Sequence, residues 1–161
     1  MLFETIGSFL VERLYHFLPR WLERRMLPPA NVQKEIRIDL RRQNPVSVQG
    51  GEVPTIWLWF EISNLSQIDI TLDRLLFDVW FGQPTLRGAI LGRAEIAKRS
   101  TATDIHFWTA LDAQQVAQIK RYLGNPLPEV TVNFSAYFES RIGWLTVQSY
   151  VRHEHVSVTG L

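Results

Sequence analysis

The apolar positions of this chain follow two different periods, and the change falls at Pro28-Pro29. Before it, Phe3, Ile6, Leu10, Leu14, Phe17 and Trp21 are spaced by 3, 4, 4, 3 and 4 residues, which keeps all six on one stripe of an α-helix. Thr5, Ser8, Glu12, His16 and Glu23 fall on the opposite face, while Val11, Leu18 and Leu22 widen the apolar arc. Pro19 lacks the N–H that a continuous helix needs, so the pattern predicts a break there and a second helical piece ending before Pro28. That piece contains Arg20, Arg24 and Arg25, the last two placed where cations suit a helix C-terminus. A proline pair stops a helix and favours extended backbone, so residues 1–29 read as an amphipathic helical segment and 30–161 as a second unit.

Beyond the prolines the period becomes two. Val32 to Leu40 alternates, with Ile36, Ile38 and Leu40 on one face; Thr55 to Ile62 places Ile56, Leu58, Phe60 and Ile62 together and Trp57, Trp59 and Glu61 opposite. Ile68–Leu72 and Leu75–Phe81 follow, then shorter stretches at Leu86–Ala97 and Ala102–Trp108, and finally Val130–Phe138 and Leu145–Val158. These runs are rich in β-branched and aromatic residues. Turn residues such as Gln49-Gly50-Gly51, Asn64 and Gly82-Gln83-Pro84 separate them. About seven strands with hairpin-length links predict an antiparallel, immunoglobulin-like β-sandwich. One helix interrupts it over Ala113–Leu123, with Thr109 or Asp112 as cap, Val116, Ile119, Tyr122 and Leu123 on one side, and Gly124 at its end.

Charge sharpens this division. The net charge is only +1, but residues 1–50 carry eight Arg/Lys against five Asp/Glu, so the basic excess travels with the N-terminal part. Nothing in that balance points to nucleic acid, and Arg41-Arg42 and Lys98-Arg99 are too sparse for a binding groove. The absence of cysteine excludes disulfides, thiolate metal sites and a cysteine nucleophile. No window of about 18 uncharged apolar residues exists to span a bilayer as a helix. Glu4, Glu12 and Arg13 make the N-terminus a poor signal peptide, so the expected location is the cytoplasm.

The order of features from about Val32 to Thr159 resembles the late-embryogenesis-abundant group 2 family, whose domain is also called WHy (water stress and hypersensitive response). A first strand at Ile36–Leu40 leads to one ending in an Asn turn, Phe60-Glu61-Ile62-Ser63-Asn64. The run Ile68-Asp69-Ile70-Thr71 follows, then the strand Leu75–Phe81, and Gly88 precedes the stretch from Glu95 to Thr101. A helix then precedes a final hairpin holding Tyr137 and Gly143. Where the family carries Asn-Pro-Asn or Asn-Pro-Tyr, this chain has Ser63-Asn64-Leu65-Ser66. The resemblance implies a non-enzymatic β-sandwich with one helix, of a kind often linked to membranes or to stress, with no catalytic residues to carry over.

The chemistry-bearing side chains form no complete constellation. His153-Glu154-His155 puts two imidazoles on one face of a strand, half of a zinc site, with His106 or Glu139 as the candidate third ligand. No HExxH spacing supports it, and the expectation is solvated histidines and no metal or cofactor. Ser63, Ser100 and Ser135 lack a nucleophile elbow, Asp69 and Asp73 read as turn residues, and no phosphate-binding glycine loop occurs. Trp57 and Trp59 share a strand face; the favoured reading buries them, under the N-terminal helix or between layers, and the sharper one makes them an exposed platform.

The helical stripe is the most informative segment. It can cover the sandwich's own open face, lie in a bilayer interface with Trp21 and the arginines at headgroup level, or dock into a larger membrane assembly. The wide apolar arc favours an external partner. The resulting expectation is a non-catalytic interaction module, peripherally associated with the cytoplasmic side of a membrane as an accessory subunit or surface-bound protein. Its contacts are Phe3, Ile6, Leu10, Leu14, Phe17, Leu18, Trp21 and Leu22, with Arg20, Arg24 and Arg25 beside them. The alternative is a carrier of a small apolar ligand or lipid in a cleft between the sheets, lined by Trp57, Trp59, Trp80 and Trp108.

Overall fold

The computed structural model describes residues 20–124, 129–153 and 156–160. Two five-stranded sheets pack face to face as a sandwich. In the first, β3 (Thr55–Asn64) is central. It pairs with β7 (Ser100–Ala110) on one side. On the other it pairs with β1 (Ile36–Leu40) along its second half and β2 (Val46–Gln49) along its first. In the second, β4 (Ile70–Phe81) runs between β8 (Val130–Ser140) and the pair β5 (Gln83–Ile90) and β6 (Ala94–Ile96), and β9 (Gly143–His153) lies beyond β8. All these pairs are antiparallel.

The alternation of the sequence decides which side chains face inward. Ile56, Leu58, Phe60 and Ile62 of β3 are fully buried, facing Leu72, Leu75, Phe77 and Val79 of β4 across the sandwich. Phe60 holds the two layers together, its ring centroid 5.3 Å from Phe77 and 6.5 Å from Phe134. At about 25 cal/mol per Å² of apolar area removed from water, such burial is the main source of stability.

Four details depart from the sequence reading. Ile68–Leu72 and Leu75–Phe81 are not separate strands, because β4 runs through with a bulge between Leu72 and Arg74. The extra residue resets the parity, so that Leu72 and Leu75, three apart, both point inward. The C-terminal run is divided into β9 and β10 (Ser157–Thr159). β10 crosses to the first sheet and pairs with β2, in parallel. Residues 29–34 are helical rather than extended. Pro28 is extended (ψ 132°), but Pro29 occupies the first turn of a short helix, where a missing N–H costs nothing, and Val32 turns into the core. Finally, β-structure amounts to ten strands rather than about seven among the described residues. We label Arg20–Met26 α1, Pro29–Lys34 α2 and Ala113–Leu123 α3.

Helix α3 forms as the sequence predicts. The Asp112 side chain accepts from Gln115 N at 2.8 Å, and Gln115 Oε1 accepts from Asp112 N at 2.9 Å, a reciprocal capping box. Ile119 is fully buried and Tyr122 meets Phe81 edge-on at 6.1 Å. Gly82 makes this packing possible: its φ is +68°, and a Cβ there would lie 2.7 Å from the Tyr122 ring.

The end of the sandwich opposite α3 is closed by a buried amide. Asn64 Nδ2 donates to the carbonyls of Ile68, Ile96 and Ala97 at 2.8, 3.3 and 3.2 Å, and Oδ1 accepts from Ser66 Oγ at 2.6 Å. The Asn of the sequence's turn is thus a fully buried knot between β3, the following loop and β6. No proline is needed to hold the loop, since Ser66 and Asn64 fasten it by hydrogen bonds.

Candidate functional site

Of the residues expected to bind a membrane or partner, Phe3, Ile6, Leu10, Leu14, Phe17 and Leu18 lie outside the described residues. Arg20 and Trp21 fall within α1, and Leu22 is half-buried there. Arg24 reaches the sandwich: its Nε donates to the Ile142 carbonyl at 2.7 Å, in the turn joining β8 to β9. Gly143 admits this approach, since a Cβ at that position (φ +121°) would stand 3.2 Å from Arg24 Nη2. The same turn is tied by Ser140 Oγ donating to the Gly143 carbonyl at 2.7 Å. Leu27 then packs against the core, while Arg25 and Met26 are exposed. Two of the arginines therefore differ in setting: Arg24 fastens α1 to the sandwich, and Arg25 faces outward.

A second surface lies on the outer face of the first sheet. Cross-strand register sets three rows side by side: Asp39, Glu61 and Asp104; Arg41, Trp59 and His106; Ser47, Trp57 and Trp108. The indoles stack. Trp57 lies 5.8 Å from Trp59 with 16° between planes, and 5.7 Å from Trp108 with 24°; His106 stacks on Trp57 at 6.3 Å. The Arg41 guanidinium caps the Trp59 end at 4.7 Å from the ring centroid. The Trp108 end is open, that residue being 55 % exposed. Trp57 and Trp59 are half-buried against these neighbours, so the sequence expectation of a strand buried on both faces gives way to a stacked surface array.

The carboxylate row is unusual, because like charges directly opposite one another destabilise a sheet. None of its three members is ion-paired among the described residues. The row does not gather into a cation site either: among the described residues no group of three His, Asp or Glu side chains is placed to hold a metal. His106 stands on this sheet and His153 at the end of β9 in the other, which separates two of the suggested zinc ligands; Glu154 and His155 lie outside the described residues.

The four-tryptophan cleft does not form. Trp80 is on β4, alternating with the buried Val79 and Phe81, and so stands on the outer face of the second sheet, while the other three indoles stand on the outer face of the first. The space between the sheets is filled by aliphatic and phenyl side chains. The second sheet's outer face instead carries an open depression of about 860 Å³, bordered by Leu76, Asp78, Arg87, Asn133, Gln148 and Tyr150. Its lining is more apolar than polar, with Phe77 and Phe134 at its floor, and Arg87 Nε donates to Asp78 Oδ1 at 2.7 Å across it. That contact raises the already high pKa of Arg87, so the guanidinium is charged throughout the accessible range.

No protein-family model matches this sequence, and no curated protein is significantly similar to it. Solved structures share its fold. The solution structure of AT1g01470 from Arabidopsis thaliana is 12% identical, covering 78% of this chain and 80% of that one with a TM-score of 0.51. The X-ray structure of the structural-genomics target SoR45 is 15% identical, covering 73% and 84% with a TM-score of 0.50. A protein provisionally described as a late embryogenesis abundant (LEA) protein, At2g46140.1, is 12% identical over 93% and 84%; its TM-score of 0.43 leaves it outside the fold argument. The likeness is one of fold.

Proposed function

We propose that this chain is a non-catalytic interaction module, held by its N-terminal amphipathic segment on a membrane surface or on a larger membrane protein complex. One observation carries the reading: α1, the continuation of the apolar stripe, is fastened to the β8–β9 turn through Arg24, and Leu27 just after it packs against the core. A segment fixed in this way passes the position of its anchor to the sandwich as a rigid body. The two inner sheet faces already fill one another, which leaves the stripe without an open core to close. Burying about nine large apolar side chains at ~1.5–3 kcal/mol each is ample for peripheral anchoring.

The test is Leu10→Glu with Phe17→Glu in the full chain, followed by vesicle flotation and thermal melting. Charges within the stripe cannot be buried without partners, so the variant is expected to leave the vesicles or complex and to melt as wild type. Glu12→Lys, on the polar face, should do neither. A variant that melts at a much lower temperature and still floats would instead place the stripe on the protein's own surface.

A further inference from the structure

The open edge of β7 points to self-association. Among the described residues, the other sheet edges are blunted in recognisable ways. Strands β1, β6 and β10 have five, three and three residues. Strand β5 contains Pro84, and β9 is covered in part by α2. Strand β7 has eleven residues, pairs among the described residues only with β3, contains no proline, and has no buried residue. Its one acidic side chain, Asp104, sits two residues from its one imidazole, His106.

We propose that β7 pairs antiparallel with β7 of a second copy about a two-fold axis through Ile105, making one continuous sheet across the dimer. Residues directly opposite in an antiparallel pair share a face, so only registers whose residue numbers sum to an even value are allowed. The register centred on Ile105 matches all eleven residues. It sets Asp104 opposite His106 twice, once on each side of the axis. It also lays the exposed Trp108 over the small, exposed Ala102. On the inner face it brings half-buried Ile105 against its own copy and half-buried Phe107 against Thr103. A register centred on Asp104 would oppose two carboxylates, and one centred on His106 would oppose two imidazoles. The strand is thus self-complementary in the one register that also gives greatest overlap, as an isologous interface requires.

The experiment is sedimentation of the full chain over a concentration series in a mild non-ionic detergent, which separates this contact from any made by the stripe. The wild type is expected to dimerise, with amide exchange in β7 slowing as concentration rises. His106→Asp sets carboxylates opposite each other at two places and should weaken association about tenfold or more. Asp104→His combined with His106→Asp exchanges the partners and should restore it, with circular dichroism confirming the fold of each variant. A monomer at all concentrations would overturn the proposal. So would a dimer that is indifferent to His106→Asp, or one that the exchange fails to restore.

Discussion

The two outer faces of the sandwich are built by the same alternation and differ in how their polar groups are matched. On the second sheet, charged side chains find partners within the face: Arg87 with Asp78, Arg93 with Glu139, Arg152 with Glu129, and Arg74 over the Tyr137 ring at 4.5 Å. On the first sheet, Asp39, Glu61 and Asp104 stand in a row without ion pairs among the described residues, beside a stack of indoles that Arg41 caps at the Trp59 end. A face whose charges are already matched gains little from a partner. One with aligned like charges and an open aromatic end has something to gain, since both are relieved by bringing in another surface. The comparison shows the first sheet as the face with the less matched polar and aromatic groups.

The largest way to break both faces at once is through the core that joins them. Phe60→Ala removes the ring that contacts Phe77 and Phe134, and should lower unfolding free energy by about 3–5 kcal/mol in denaturant titration. Asn64→Leu should cost roughly 2–4 kcal/mol, because buried carbonyls of Ile68, Ile96 and Ala97 lose their donor. Its effect should be greatest on amide exchange in the 65–69 loop and β6. The faces themselves are separated by the next pair. Trp57→Phe takes the middle indole from the stack; a loss of about 1–2 kcal/mol and of the coupled-indole signal in near-ultraviolet circular dichroism is expected. Arg87→Gln, on the matched face, should leave the melting temperature within error, since an exposed ion pair contributes little. If Arg87→Gln proved as damaging as Trp57→Phe, the contrast between the faces would be wrong.

Some of this molecule was readable residue by residue along the chain. Period-two runs identified Ile56, Leu58, Phe60 and Ile62 as one buried face, and Asp112 with Gly124 bounded α3, because a strand's faces and a helix's first turn are set by near neighbours in sequence. The amphipathic stripe from Phe3 to Trp21 is a property of the sequence alone. Tertiary structure decided the rest. Alternation says that Trp57 and Trp108 face outward, but only the pairing of β3 with β7 puts one ring on the other. The Asn64 knot needs carbonyls from more than thirty residues away, and Arg24 finds its acceptor 118 residues downstream. Pro29 reads as a helix stop in a list of propensities, yet opens α2, because Val32 finds a buried place in the core that favours another turn. Local periodicity fixes orientation within an element. Which elements become neighbours depends on long-range packing, and both surfaces of interest are made where distant strands meet.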